Sequence, residues 1–375
     1  ENIVHLVLAR IDGAPKGAKG ISLFVVPKKR LQGGEELISN DVSSIGIYHK
    51  MGQRSTPAMH LEFGGKNDCI GYLLGEANKG LSYMFQMMND KRLGTGLAGI
   101  YIASAAYYAS LQYAHERRQG RRLNNKNANE PQIEIIQHPD VRRMLLLQKA
   151  IVEGSLSLLM QCYLYLDLEA VTKTVEEKKH YNDLLELLTP VAKTYGAEMG
   201  VVSVNNGMQV LGGYGYTEDF PLEQMARDVR IMPLYEGTTG IQSIALLGRQ
   251  IAINSGRALQ YWKAEVKKVT DEAQHFNKLQ YYADWLAHEI EELDITTAHL
   301  LNIASKGNAE VFLSDANLYM ELFGLMCMAW QWLHQSVVAQ KGLEKNNTSK
   351  DDALFYQSKI ETMQFFFHYE FRKTK

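Results

Sequence analysis

Apolar and polar positions follow two rhythms along the chain, and the change falls near residue 75. Before it, apolar runs at 3–11, 21–27, 45–51 and 57–63 are separated by Asp12-Gly13, Gln32-Gly33-Gly34 and Gly64-Gly65. Short runs punctuated by glycine turns predict a small antiparallel sheet. After it, apolar residues recur at three- and four-residue spacing through 79–118, 139–172, 180–211 and 238–253, which predicts helices. Thr189-Pro190 is a cap and first-turn pair, expected to start a helix inside the third run. From about 257 onward the pattern stays helical and becomes more amphipathic. There Phe323, Met326, Cys327, Trp330 and Leu333 share one face, with Met320 and Leu322 beside it, a stripe that predicts core or partner-helix packing in preference to a ligand site. Residues 342–352 predict an exposed loop before a last, Phe-rich helix. The expected class is α+β, with an antiparallel β domain over 1–75, a helical domain over 76–255 and an additional helical domain over 256–375. No internal repeat is visible.

At 375 residues the chain can bury a sizeable core in two or three domains. A net charge of −2 supplies no bulk attraction to nucleic acid or anionic membrane. Cys69, Cys162 and Cys327 are odd in number and far apart, so they form no disulfide framework; packing in a reducing compartment, the cytoplasm, is expected. The first residue is Glu1 and an apolar strand follows at once, which reads as a piece of a longer protein whose β domain is incomplete at its N-terminus. Residues 93–114 carry no charge and are long enough to span a bilayer. Their Ser, Thr, Gln, Tyr, Gly and Ala content is too weakly apolar for that, and Gly96, Gly99, Ala103 and Ala106 suit close helix packing instead.

The candidate chemistry centres on Leu234-Tyr235-Glu236-Gly237-Thr238-Thr239-Gly240-Ile241-Gln242. One carboxylate, Glu236, stands at a Gly/Thr-rich bend that opens into an apolar helix. Ile231, Met232, Pro233, Leu234 and Tyr235 are expected to surround it with nonpolar surface, and loss of water disfavours the charged form of a carboxylate. Thr238 or Thr239 can cap the helix, whose first-turn N–H groups then face any anion or carbonyl beside Glu236. Most of the 42 acidic residues are surface charges. Other motifs fall away. Gly94-Thr95-Gly96-Leu97-Ala98-Gly99 matches GxGxxG but follows Asn89-Asp90-Lys91-Arg92, not a strand, so helix packing explains it better than dinucleotide binding. The eleven histidines show no HExxH or paired ligand spacing, no metal is expected, and no GxSxG elbow occurs.

Three segments in order carry a resemblance: Gln209-Val210-Leu211-Gly212-Gly213-Tyr214-Gly215-Tyr216, then Met225-Ala226-Arg227-Asp228-Val229-Arg230-Ile231, then Tyr235 to Gln242. Together they resemble the C-terminal catalytic region of the acyl-CoA dehydrogenases. The resemblance extends upstream through Lys50-Met51-Gly52-Gln53-Arg54-Ser55-Thr56-Pro57, Asn89 to Arg92 and Glu116-Arg117-Arg118. It is strongest for the branch with an extra C-terminal helical domain that includes the 3-methylmercaptopropionyl-CoA dehydrogenases.

The resemblance implies FAD-dependent α,β-dehydrogenation of an acyl-CoA thioester to a trans-2-enoyl-CoA, with Glu236 as the base that removes the α-proton. It implies that Arg117, Gln209, Gly212, Gly213, Thr238 and Gly240 contact FAD, with Gln209, Gly212 and Gly213 reaching across a dimer interface, and that Asn89, Arg92 and Gly237 hold the acyl-CoA. Without it, Arg117 reads as a solvated charge among Arg118, Arg121 and Arg122, and Asn89 as a turn or cap residue. The implied partners are an electron-transferring flavoprotein and further copies of the chain; beside the resemblance, the last domain reads most simply as a dimerisation element, and charge and composition point to neither nucleic acid nor a membrane span. The alternatives are an acyl-CoA oxidase, which passes electrons to oxygen, and a non-catalytic flavoprotein of the same fold that binds nucleic acid or regulates.

Overall fold

The computed structural model describes residues 2–34, 36–122, 124, 127 and 129–374, except the side chains of Gln86 and Asn89. The chain divides into two compact units, residues 1–91 and 92–375.

In the first unit β1 (Val4–Arg10) pairs antiparallel with β2 (Ile21–Pro27), which pairs antiparallel with β7 (Tyr72–Leu74). Two hairpin-like pairs complete it: β3 (Lys29–Gln32) with β4 (Glu36–Ser39), and β5 (Val42–Ile47) with β6 (Met59–Phe63). Fully buried Asn40 ties these pieces together. Its amide donates to the Pro27 and Ile70 carbonyls at 2.7 and 2.9 Å while its oxygen accepts from Arg30 and the Ile70 N–H. Two expectations need correction. The strand expected over 45–51 is β5, which starts at Val42, bulges between Ser44 and Gly46, and stops at Ile47, where Lys50 folds back to donate to the Gln53 and Thr56 carbonyls. Strands β3, β4 and β7 were not anticipated, because three or four residues are too few to show a period.

Helix α1 (Gly80–Glu116) begins in the first unit and runs on into the second, where α2 (Pro139–Val171) and α3 (Val175–Leu211) follow. The α1–α3 contact is made by glycines. A Cβ on Gly96 would lie 2.7 Å from the Ala192 carbonyl oxygen, one on Gly99 would lie 2.9 Å from that of Gly196, and one on Gly200 would meet the Gly99 carbonyl. Helix packing therefore accounts for the GxGxxG match. Contacting numbers rise together on both helices, so α1 and α3 run parallel.

Helix α3 does not start at Thr189-Pro190. Its cap is Thr174, whose hydroxyl oxygen accepts from the Glu177 N–H at 3.2 Å, while Thr172 and Thr174 both donate to the Glu177 carboxylate and hold it below the usual carboxylate range. Pro190 sits inside the helix, where it lacks a donor and crowds the preceding turn. The helix continues because Leu184, Leu187, Leu188 and Val191 around it are fully buried, so packing outweighs local propensity.

After α4 (Leu222–Val229) and α5 (Thr239–Ala245) the chain turns through Asn254, Ser255 and Gly256, all with positive φ, and buried Asp183 holds this turn through Asn254 and Arg257. The last part comprises α6 (Arg257–Ala273), α7 (Gln280–Ser305), α8 (Ala309–Ser314), α9 (Ala316–Leu343) and α10 (Lys350–Phe365). The Phe323–Leu333 stripe is core: α9 is buried on nearly every side, against α10, α6, α2, α7, α3 and α5. Its Trp332 indole N–H donates to the Ala150 carbonyl at 3.1 Å, in space that Gly154 on α2 leaves open. Among the described residues no helix is long and apolar enough to cross a membrane.

Candidate functional site

The bend before α5 is tightly specified. Glu236 and Gly237 both have positive φ, 56° and 93°, a region that L-residues avoid and glycine tolerates. Thr238 caps α5, its hydroxyl oxygen accepting from the Ile241 N–H, and Gly240 lies in the first turn with open space where a side chain would project. The wall around Glu236 departs from the expected one. Of the five residues leading to it only Met232 and Pro233 are buried, while Ile231, Leu234 and Tyr235 are exposed and Glu236 is half-buried. Cations complete the surroundings: the charge of Glu236 is felt at both Arg92 on α1 and Lys193 on α3.

Lys193 is fully buried, and its ammonium donates to the Gly237 carbonyl at 2.7 Å. Burial pushes its pKa down to about 8, Glu198 and Glu236 opposing the shift and Arg92 adding to it. Burial likewise lowers the Arg92 guanidinium, with Glu236 opposing. The Gln242 amide donates to the Glu236 carbonyl at 3.0 Å, and the Thr239 hydroxyl donates to the Glu198 carboxylate. The φ of 93° favours glycine at 237, and a Cβ there would stand 2.6 Å from the Gln242 nitrogen, displacing that side chain's end.

A second cluster forms at the other ends of the same helices. Arg117, exposed at the end of α1, lies 5.9 Å from the Tyr214 ring centre. With Tyr113, Val210, Gly212, Gly213 and Tyr214 it lines a recess of about 530 Å³. Gly212 ends α3 with φ 61°, its N–H bonded to the Gln209 carbonyl, and neither Gly212 nor Gly213 has an atom where a Cβ would sit. A cation beside bare glycine backbone suits a phosphate-bearing group.

The structure thus gathers Arg92, Glu236, Gly237, Thr238 and Gly240 at one end, and Arg117, Gln209, Gly212 and Gly213 at the other. Arg92 and Arg117 are about 37 Å apart along α1 at the helical rise of about 1.5 Å per residue. The Asn89 side chain lies outside the described ones. Sequence reading missed Lys193, Glu198 and Gln242. The available signal was a lone lysine among positions that the helical period assigns to the core, in Thr189-Pro190-Val191-Ala192-Lys193-Thr194-Tyr195.

Two family models cover most of the chain: "Acyl-CoA dehydrogenase, C-terminal domain" matches residues 78–251 and "Acetyl-CoA dehydrogenase C-terminal like" matches 262–375. The chain is 36% identical to the 3-methylmercaptopropionyl-CoA dehydrogenase of Ruegeria pomeroyi, over 98% of this chain and 61% of that protein. It is 33% identical to a butyryl-CoA dehydrogenase of Syntrophomonas wolfei, over 97% of this chain and 60% of that one. The chain therefore spans about three fifths of the length of these relatives. Among solved structures it superposes on Caenorhabditis elegans ACDH-11 in complex with C11-CoA with a TM-score of 0.77, at 21% identity over 97% of this chain and 56% of the other. An acyl-CoA dehydrogenase from Bacillus anthracis complexed with FAD gives 0.70, at 21% identity over 99% and 58%.

Proposed function

The chain belongs to the acyl-CoA dehydrogenase family, and from that premise we propose that it carries the catalytic region of an FAD-dependent enzyme converting an acyl-CoA thioester to a trans-2-enoyl-CoA. One observation carries this reading: Glu236 stands on left-handed backbone at the mouth of α5, within electrostatic reach of Arg92 and Lys193, with its own carbonyl and that of Gly237 held by buried side chains. A base must be fixed in direction before it can meet an α-proton, and this loop fixes it.

In this reading the Glu236 carboxylate takes the α-proton, while its own backbone N–H polarises the thioester carbonyl and acidifies the α-carbon. Arg92, Gly237 and Asn89 hold the acyl-CoA. FAD, when bound, accepts the hydride from the β-carbon. Thr238 and Gly240 would hold the cofactor beside the base, and Arg117, Gln209, Gly212 and Gly213 would hold it at their own cluster. These two groups sit too far apart to grip one cofactor from a single chain, which supports a homodimer or higher oligomer in which each cofactor meets two chains. The domain limits expected at 75 and 255, the cytoplasmic location and an electron-transferring flavoprotein as acceptor belong to the same proposal.

A nucleic-acid-binding role for the last helices is disfavoured by their charge pairing. Lys263, Lys267, Lys268, Lys341, Lys359 and Lys373 each lie within 4.0 Å of a carboxylate oxygen, which leaves them poorly placed to track phosphates.

Glu236→Gln in the FAD-loaded full-length protein tests the assignment, because the amide is nearly isosteric and cannot accept the proton. Flavin reduction by acyl-CoA should slow by at least about 10²- to 10⁴-fold with FAD still bound. Reduction at the wild-type rate would contradict it.

A further inference from the structure

We infer that Lys193 is the positioning residue for the catalytic loop: by holding the Gly237 carbonyl, it fixes the backbone of Glu236 and with it the direction of the carboxylate. This rests on the reading of Glu236 as the base. A fully buried ammonium is costly, and the α1–α3 contact is what buries it, since Gly96 lies against the backbone of Ala192 and Lys193. From there the side chain reaches a residue 44 positions later and makes a 2.7 Å bond.

What it holds is a strained turn. Two successive residues with positive φ, the first of them a glutamate, need outside restraint to persist. Lys193 restrains the Gly237 carbonyl and Gln242 the Glu236 carbonyl, each from a fully buried position. Five residues along α3 from Lys193, Glu198 accepts from Thr239 and so holds the loop where it enters α5. Of these restraints Lys193 is the charged donor, and charge-assisted bonds are about twice as strong as neutral ones. If it lets go, the Glu236–Gly237 peptide can turn toward ordinary φ, and the carboxylate turns with it. Lys193 touches neither acyl group nor flavin in this account; it acts through Gly237.

The test compares wild type with Lys193→Met, similar in length and without a donor, in the flavin-loaded full-length protein. Two quantities are read: the rate of flavin reduction by saturating acyl-CoA, and amide hydrogen exchange over residues 236–241. Loss of a buried charged hydrogen bond predicts a reduction rate about 10- to 100-fold lower, with the half-saturating thioester concentration little changed. Exchange over 236–241 should rise by a similar factor, with α2 and α9 unaltered. Unchanged exchange in the loop overturns the inference, whatever the rate does. If Lys193→Met does not fold, Lys193→Gln, which keeps a donor one bond too short, is read the same way. Should wild type reduce with no thioester, the functional reading fails, while loop exchange still decides the role of Lys193.

Discussion

A Cβ on Gly96 would stand 2.7 Å from the carbonyl oxygen of Ala192, a distance that no packed side chain tolerates. The α1 and α3 backbones therefore touch, and two features of the site follow: Lys193 loses its water, and Arg92, one turn before Gly96, comes within electrostatic reach of Glu236.

Substitutions within the Gly94–Gly99 stretch separate packing from ligand binding. Gly96→Ala forces the helices apart and should cost about 1–3 kcal/mol. Gly94 is exposed with nothing within 4 Å of its would-be Cβ, so Gly94→Ala should stabilise by about 0.5–1 kcal/mol through helix propensity. Urea unfolding reads both signs; a dinucleotide loop would lose binding in both variants instead.

The last helices are predicted to stabilise the catalytic bundle from within the chain. Trp332→Phe removes the second donor to the Ala150 carbonyl, which keeps its helix bond from the Gly154 N–H, and leaves part of the space beside Gly154 unfilled. The expected loss is about 1–3 kcal/mol, seen as a lower urea midpoint with an unchanged slope.

Lys193 sets a pH dependence whose sign is fixed. Its folded pKa of about 8 lies below the ordinary lysine value of 10.5, so between these pH values the unfolded chain binds the extra proton. Stability of the wild type relative to Lys193→Met should therefore be lowest and flat below about pH 8, then rise toward pH 10. Burial sets this window, with Glu198 on α3 and Glu236 in the loop opposing the shift and Arg92 on α1 adding to it. A difference that stays constant from pH 6.5 to 10 would contradict it.

Thr174, not Thr189, is predicted to be the capping threonine of α3. Thr174→Ala should cost about 1 kcal/mol by chemical denaturation, since it removes the acceptor for the Glu177 N–H.

How much of this was legible follows from where each signal lies. Glu236 to Gly240 and Gln209 to Gly213 are contiguous, and each motif's chemistry can be read locally. Lys193 and Glu198 could not be assigned that way, because they stand on α3, 44 and 41 residues before the loop positions they hold, and Gln242, only six residues from the carbonyl it holds, shows its role only in the folded bend. The charged surroundings of Glu236 were misread for the same reason: the apolar run before it is local, while Arg92 and Lys193 arrive from elsewhere. Long helices were readable from their period, yet the start of α3 was not. Thr189-Pro190 has the local chemistry of a start, and the buried leucines before it with Val191 after it override it.

The most direct test of the central claim is anaerobic titration of the flavin-loaded full-length protein with a panel of acyl-CoA thioesters, following the absorbance of oxidised flavin. The account predicts rapid bleaching by at least one thioester in wild type and its near-complete loss in Glu236→Gln. Bound FAD that no thioester bleaches, or equal bleaching in both proteins, would contradict it.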